Sequence, residues 1–235
     1  MNNTINTIVL KTQQYRDKDL LLHVISKEYG FLSLIFYNIN NISSTRKVYT
    51  LEYGHYEYII DYKFNKTIYS PIVKNIINYN EYILSVPKVM TVSGIIADLI
   101  LKSNYLNFDF ICETYKLLNS KNYIYVFTIF LVRILDFEGI MPAIDSCSKC
   151  NSTSVINFEI VNGGYVCSNC TSDTNRLSLD DLRNIRKLIK ADYSNLEYFT
   201  NSDTDYTKLI NVLVKFYEYY TNVELKGYQI LKTLL

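Results

Sequence analysis

Tryptophan is absent from this 235-residue chain, and histidine (two), proline (three) and glycine (seven) are scarce. With only His23 and His55, a histidine-based triad or a His-rich catalytic metal site is nearly excluded, and both residues read as ordinary sheet histidines. No GxxxxGK[ST] or GxGxxG segment is present, so the nucleotide-cradling loops are missing too. No stretch approaches ~18 uncharged apolar residues. The strongest run, Tyr123–Leu135, is interrupted by Arg133 and followed by Asp136 and Glu138, and reads as a buried helix. Met1–Thr7 lacks the basic-then-apolar layout of a signal peptide, so a cytoplasmic chain with reduced thiols is expected. A net charge is missing as well. Lys and Arg number 24 against 23 Asp and Glu, which excludes a uniformly basic nucleic-acid coat. Any basic footprint must come from charges sorted onto one face.

What remains is 49% hydrophobic and 20% charged, the composition of a globular protein of one or two domains. Ile, Asn and Tyr are abundant, a skew resembling the codon bias of an AT-rich genome, so a single Tyr or Asn carries little functional signal. Period-two alternation places strands at Ile5–Thr12, Asp19–Ser26, Phe31–Tyr37, Leu51–Tyr62 and Lys66–Val73. Glu28-Tyr29-Gly30 is a hairpin turn, Asn38–Thr45 a loop, Asn65-Lys66 a tight turn, and Pro71 marks an edge position. Five short strands in so small a span suggest a closed sheet of the oligonucleotide-binding (OB) kind. Beyond Asn80 the period becomes helical. Helices are expected from Pro87 to Asn104, Phe108 to Leu118 and Tyr123 to Asp136, with Gly139 a stop. Further helices run from an N-cap at Ser178 to Lys190, from Tyr206 to Tyr220 and from Glu224 to Leu235.

The sharpest chemical signal is Cys147-x-x-Cys150 followed, after 16 residues, by Cys167-x-x-Cys170. Each CxxC sets two thiolates on one tight turn, and two turns supply the tetrahedral sulfur cage that zinc prefers. Gly163-Gly164 lies where a hairpin must bring the second pair to the first. A disulfide pair does not suit a cytoplasmic chain, and a redox CxxC lacks its βαβ context. An iron–sulfur cluster is the remaining alternative; paired knuckles joined by a hairpin favour one structural zinc. Four protein ligands close the coordination sphere, so this metal does not activate water. Cys112 reads as a small buried apolar residue on a helix.

Charge is unevenly placed. Residues 1–80 hold nine Lys and Arg against six acids, a net +3. Tyr15, Tyr53, Tyr56, Tyr58, Tyr62 and Tyr69 are interleaved with them, which suits either base stacking or plain strand packing. The closest acidic groups, Asp17 with Asp19 and Asp180 with Asp181, fit a turn and a helix N-terminus and demand no two-metal site. Nothing in the chain looks like an enzyme.

Taken in order, several segments resemble the bacterial DNA repair protein RecO family. Ile8–Thr12 with Tyr15-Arg16-Asp17-Lys18-Asp19 is similar to its first strand and turn, and Ser26–Ser33 to its second hairpin. Phe137–Pro142 with Asp145-Ser146-Cys147 resembles the approach to its zinc module, and Gly163–Cys167 the second half of that module. Glu224–Leu231 matches its closing segment, with Gly227 where the family has Ser. The resemblance implies an α+β protein: a five-stranded OB-type β-barrel over residues 1–78, an all-helical domain over 79–145 and 176–235, and an inserted four-cysteine zinc module over 146–175. It implies a non-enzymatic recombination mediator, bacterial, cytoplasmic and nucleoid-associated. Such a protein binds single- and double-stranded DNA without sequence preference and anneals complementary strands. With RecR it helps load RecA onto DNA coated by single-stranded-DNA-binding protein. On that analogy DNA contacts fall to Lys11, Arg16, Lys18, Lys27, Arg46 and Lys47, and Arg133 is the candidate for docking the acidic, apolar tail of the coating protein. One departure stands out. After the third strand the family's strongly basic segment is replaced by Tyr37–Lys47, where Arg46 and Lys47 alone are basic. That depletion, with the near-zero charge, supports an alternative: a protein-only adaptor that holds RecR and the coating protein with little DNA contact.

Overall fold

β-Branched and aromatic residues that alternate along the chain can bury one side of a strand only if strands pair and curl over a common core. The computed structural model describes residues 2–41, 44–171 and 176–234. Ile42 and Ser43 of the expected loop, residues 172–175 at the end of the cysteine-rich segment, and both terminal residues lie outside the described residues. Strands β1 (Asn2–Tyr15), β2 (Asp19–Ser26), β3 (Gly30–Phe36), β4 (His55–Asp61), β5 (Ile68–Tyr69) and β6 (Ile72–Asn78) form one sheet in the order β5-β3-β2-β1-β4-β6. Their inward faces bury Ile5, Leu22, Val24, Leu34, Tyr58 and Ile60. β1 is long enough to pair with β4 through its first half and with β2 along most of its length, and a register shift between Val9 and Lys11 lets it bend.

The closure of this sheet follows from chain length. β5 pairs in parallel with β3, β6 pairs with β4 at the opposite edge, and only Ser70 and Pro71 separate them. Laid flat, five strand spacings would put those edges ~24 Å apart, whereas the linking residues reach ~11 Å at most. The sheet must therefore curl into an OB-like half-barrel, and it does. The expected fifth strand, Lys66–Val73, is thus two strands, broken where Pro71 removes a ladder donor. The fourth begins at His55 rather than Leu51, because Thr45–Thr50 coil into a 3-10 helix and Tyr53 takes φ +66° on the way out. Gly30, at φ +69°, makes the β2–β3 turn.

Helices α1 (Glu81–Ser85), α2 (Pro87–Ser103) and α3 (Phe108–Leu117) follow. Pro87 opens α2 and Asn104, at φ +53°, ends it. Asn80 caps α1 and also donates to the carbonyls of Tyr115 and Leu118, which seats α3. These elements and the sheet make one compact unit, up to Tyr123. Ile124–Thr233 form a second. Its central helix is α4 (Tyr123–Phe137), apolar except for the exposed Arg133 and Asp136, with Val126, Phe127, Phe130, Leu131, Ile134 and Leu135 fully buried. A hairpin, β7 (Val155–Glu159) and β8 (Gly164–Cys167), precedes α5 (Leu179–Lys190), α6 (Leu196–Thr200), α7 (Thr207–Thr221) and α8 (Lys226–Leu234). Ser178 and Asp181 form a full capping box at the start of α5. Gly139, at φ +70°, ends α4, its N–H donating to the Asp136 carbonyl. Among the described residues no helix is long and apolar enough to cross a membrane.

Candidate metal centre and nucleic-acid interface

The four sulfurs of Cys147, Cys150, Cys167 and Cys170 lie within 4.8 Å of one another. A tetrahedral site with metal–sulfur bonds of ~2.3 Å needs sulfurs ~3.8 Å apart, and Cys150 and Cys167 stand at 3.6 Å. Both knuckles are set by backbone hydrogen bonds. Asn151 N–H donates to the Cys147 carbonyl (2.9 Å) with Asn151 at φ +60°, and Cys170 and Thr171 N–H donate to the Cys167 carbonyl (3.1 and 3.0 Å). The donor chemistry also fits a cation. Burial pushes the Cys147 thiol up, but backbone N–H groups of Lys149, Cys167 and Cys150 outweigh it and bring the thiol to about 6. Hydrogen bonding to the Cys167 and Cys150 sulfurs pushes Cys170 up to about 12. Four sulfurs this close do not all ionise unless a positive ion sits among them.

The cage is fastened to its unit through the hairpin that carries it. Gly164 lies against the backbone of Ala143, where a Cβ would come within 2.3 Å of the Ala143 carbonyl oxygen. Ala143 N–H donates to the Gly163 carbonyl (2.9 Å) and Tyr165 N–H to that of Ala143 (2.8 Å). Tyr165 reaches across to donate to the Leu182 carbonyl on α5, and Tyr220 on α7 donates to that of Ile160 (3.0 Å). Asp145 receives Arg186 (2.6 Å) and Lys190 (3.0 Å), both on α5.

The six basic residues expected to meet DNA separate into two places. Arg16 and Lys18 sit in the β1–β2 turn, and Arg46 and Lys47 on the Thr45–Thr50 helix. Arg46 donates to the Tyr37 carbonyl (2.9 Å), Asn40 N–H to the Lys18 carbonyl (3.1 Å), and the Asn40 amide to Gln14 (2.7 Å). These bonds gather all four cations at one end of the barrel. Lys11 continues the same side along β1, opposite His23 on β2. Lys27 is elsewhere. It follows the far end of β2, roughly 24 Å away by strand rise, and is paired with Asp109 at 2.9 Å.

The tyrosines divide as sharply. Tyr56, Tyr58 and Tyr69 are core residues, and their hydroxyls satisfy backbone carbonyls: Val48 and Leu51 for Tyr56, Tyr49 for Tyr58, Lys63 and Lys66 for Tyr69. Tyr53 stacks on Tyr115. Tyr15, under the Arg16 guanidinium, and Tyr62 are left nearer solvent. Beside Tyr62 a cavity of about 430 Å³ opens between β2–β3 and the 62–69 segment, with His23, Tyr29, Phe31, Ser33 and Lys66 on its wall. Alternation and turn chemistry mark Tyr29 only as a turn residue and do not mark Phe64. The available signal was Lys63-Phe64-Asn65-Lys66, a ring between two cations in a turn.

Arg133 lies at the rim of a second-unit cavity of about 280 Å³, shared with Ile129, Val132, Met141, Ile189 and Lys190. Its guanidinium stands 3.5 Å from Asp136. Cys112 is half-buried, its sulfur 3.9 Å from His55 Nδ1, and burial pushes its thiol up to about 11.

Residues 102–229, more than half of the chain, match the family model described as recombination protein O C terminal. Similar proteins include the DNA repair protein RecO of Mycoplasma mycoides subsp. mycoides, 26% identical over 238 residues (95% of this chain, 93% of that one). That of Mycoplasma capricolum subsp. capricolum is 26% identical over 205 residues, 82% of either chain. That of Desulforamulus reducens is 25% identical over 103 residues, 41% of this chain and 40% of its own.

Proposed function

The chain belongs to the recombination protein O family and so has a role in DNA repair and recombination, within which we propose that it binds DNA by its barrel and anneals complementary strands. The observation that carries this reading is the gathering of Arg16, Lys18, Arg46 and Lys47 at one end of the barrel, with Lys11 leading away along β1. Two strands repel until their phosphates are screened, and a clustered set of cations supplies that screening without reading sequence. Lys27 contributes only where a phosphate displaces Asp109. Tethering two screened strands on one surface raises their local concentration, which is what annealing needs.

The cysteine cage holds one zinc, with Cys147, Cys150, Cys167 and Cys170 as ligands, and its work is structural. When bound, the metal neutralises the thiolates and locks the two knuckles; the chain's own residues carry that rigidity through Tyr165 and Ala143 to α5. The cavity at Arg133 suits an acidic, apolar peptide. Arg133 and Lys190 stand by a lining of Ile129, Val132, Met141 and Ile189 with Asp136 and Asp192 also on the wall, so the tail of single-stranded-DNA-binding protein would enter by displacing Asp136 from Arg133 and Asp145 from Lys190. RecR is the further partner, through which RecA gains coated DNA.

The test is the annealing rate of complementary oligonucleotides, bare and coated with the cognate binding protein. Acceleration on both is expected, lost on bare strands for Arg16→Gln with Lys18→Gln and on coated strands alone for Arg133→Ala. Full retention by the first variant overturns the barrel assignment. A stable complex with RecR and no DNA binding at all establishes the adaptor reading instead.

A further inference from the structure

The four cage cysteines are not equally protected. Cys150 is exposed, Cys170 is half-buried, and Cys147 and Cys167 are only 0% and 4% exposed. The Cys150 sulfur meets the other knuckle at Cys167, 3.6 Å away, about the spacing a filled tetrahedral cage keeps. Both knuckles are also seated by bonds that involve no sulfur. Cys147 N–H donates to the Ser152 carbonyl (2.8 Å), and Ser148 N–H to the Tyr165 carbonyl (2.8 Å), which lays the first knuckle on the β7–β8 hairpin. Past the second knuckle the Thr171 hydroxyl donates to the Glu159 carboxylate, and the hairpin itself is tied to Ala143 and Leu182. The fifth cysteine, Cys112, belongs to the first unit. It is half-buried near His55, and burial keeps its thiol protonated.

An oxidant that reaches the cage meets Cys150 first, and the sulfur set to resolve the product is that of Cys167. We propose that the cage is a modification site for hydrogen peroxide, which joins Cys150 to Cys167 as a disulfide and so releases the metal. In the first step the Cys150 sulfur attacks a peroxide oxygen. An S–O bond forms, the O–O bond breaks, and the departing hydroxide takes a proton to become water. In the second the Cys167 thiolate attacks the Cys150 sulfur. The S–S bond forms, the S–O bond breaks, and a second hydroxide leaves as water. Two electrons pass from the sulfurs to the peroxide, and two protons come from solvent. The sulfurs close from 3.6 Å to ~2.0 Å, a small movement for two adjoining turns. Cys147 and Cys170 remain, two ligands where a tetrahedral site needs four. Because the backbone bonds persist, a thiol reductant returns the sulfurs to their places, and the change is a reversible switch. The inference rests on the structural-zinc reading above and adds to it a reaction of the ligands.

The test is exposure of the full chain, loaded with zinc and freed of reductant, to hydrogen peroxide. A chromogenic chelator reads the zinc released, and mass spectrometry of alkylated peptides maps the thiols. Zinc should leave in step with formation of a Cys150–Cys167 disulfide, while Cys112 stays free. Cys112→Ser should lose zinc at the wild-type rate. Dithiothreitol with added zinc should then erase the disulfide and restore the metal. Zinc that stays bound at peroxide concentrations sufficient to oxidise Cys112 overturns the proposal. So does any main disulfide other than Cys150–Cys167, and so does a loss of metal that the reductant does not reverse. A chain that holds no zinc before peroxide is added brings down the metal assignment and this proposal together.

Discussion

At the scale of single residues, His55 shows how burial becomes a pH dependence. Its Nε2 is buried without a hydrogen-bond partner, and burial lowers its pKa from 6.5; His23 is lowered likewise, by burial and then by Lys11. In the unfolded chain both take up a proton near the ordinary value, while in the folded chain they resist. Below about pH 6.5 the unfolded state therefore binds more protons, and stability is lost as pH falls. Urea unfolding followed from about pH 7.5 to pH 5 should show this decline, and His55→Gln should flatten it. A pH-independent midpoint in wild type refutes the argument. Cys147→Ser makes the parallel case for the cage. It should release the metal and lower the melting temperature by about 10 °C, read by metal analysis and by thermal unfolding.

At the scale of elements, Gly164→Ala is the most informative change. The new Cβ meets the Ala143 backbone at 2.3 Å, and Gly164 itself has φ +140°. The substitution should cost about 2–4 kcal/mol by chemical denaturation and weaken metal retention, since the hairpin could no longer lie against residue 143. Ser178→Ala, which removes one half of a capping box, should cost about 1 kcal/mol. These two sites also mark what the sequence made legible. Caps, stops and metal knuckles are decided by residues within a few positions of one another, so Pro87, Gly139, Ser178 and the two CxxC pairs could be read directly. The five-residue helices α1 and α6 were not legible, being too short to display a 3.6 period. Leu51–Gly54 alternates like a strand yet turns, because Tyr53 adopts a left-handed backbone that alternation does not encode. Nor could spacing reveal that Arg46 joins Arg16 while Lys27 faces Asp109. Those neighbourhoods are made by Asn40, Tyr37 and the length of β2.

At the scale of the whole molecule, a near-neutral protein that binds DNA must do so through a local field, and salt reports how local it is. Five clustered cations predict a log–log slope against salt of about −3.5 for single strands, and removing Arg16 and Lys18 should reduce its magnitude by about 1.4. A slope unaffected by that change would place the contacts elsewhere. The barrel's closure has a separate consequence, in time rather than in charge. The β1–β2 and β2–β3 hairpins join neighbours in sequence and can zip early, whereas the two-residue join of β5 to β3 must wait for some 35 intervening residues to be laid down. What forms last and pairs least should also open first. Hydrogen exchange should find the amides that bond across the β3–β5 join, within Ser33–Leu34 and Ile68–Tyr69, trading protons well before those of Leu22 and Val24, so that the barrel breathes at its seam, beside the cavity, without unfolding.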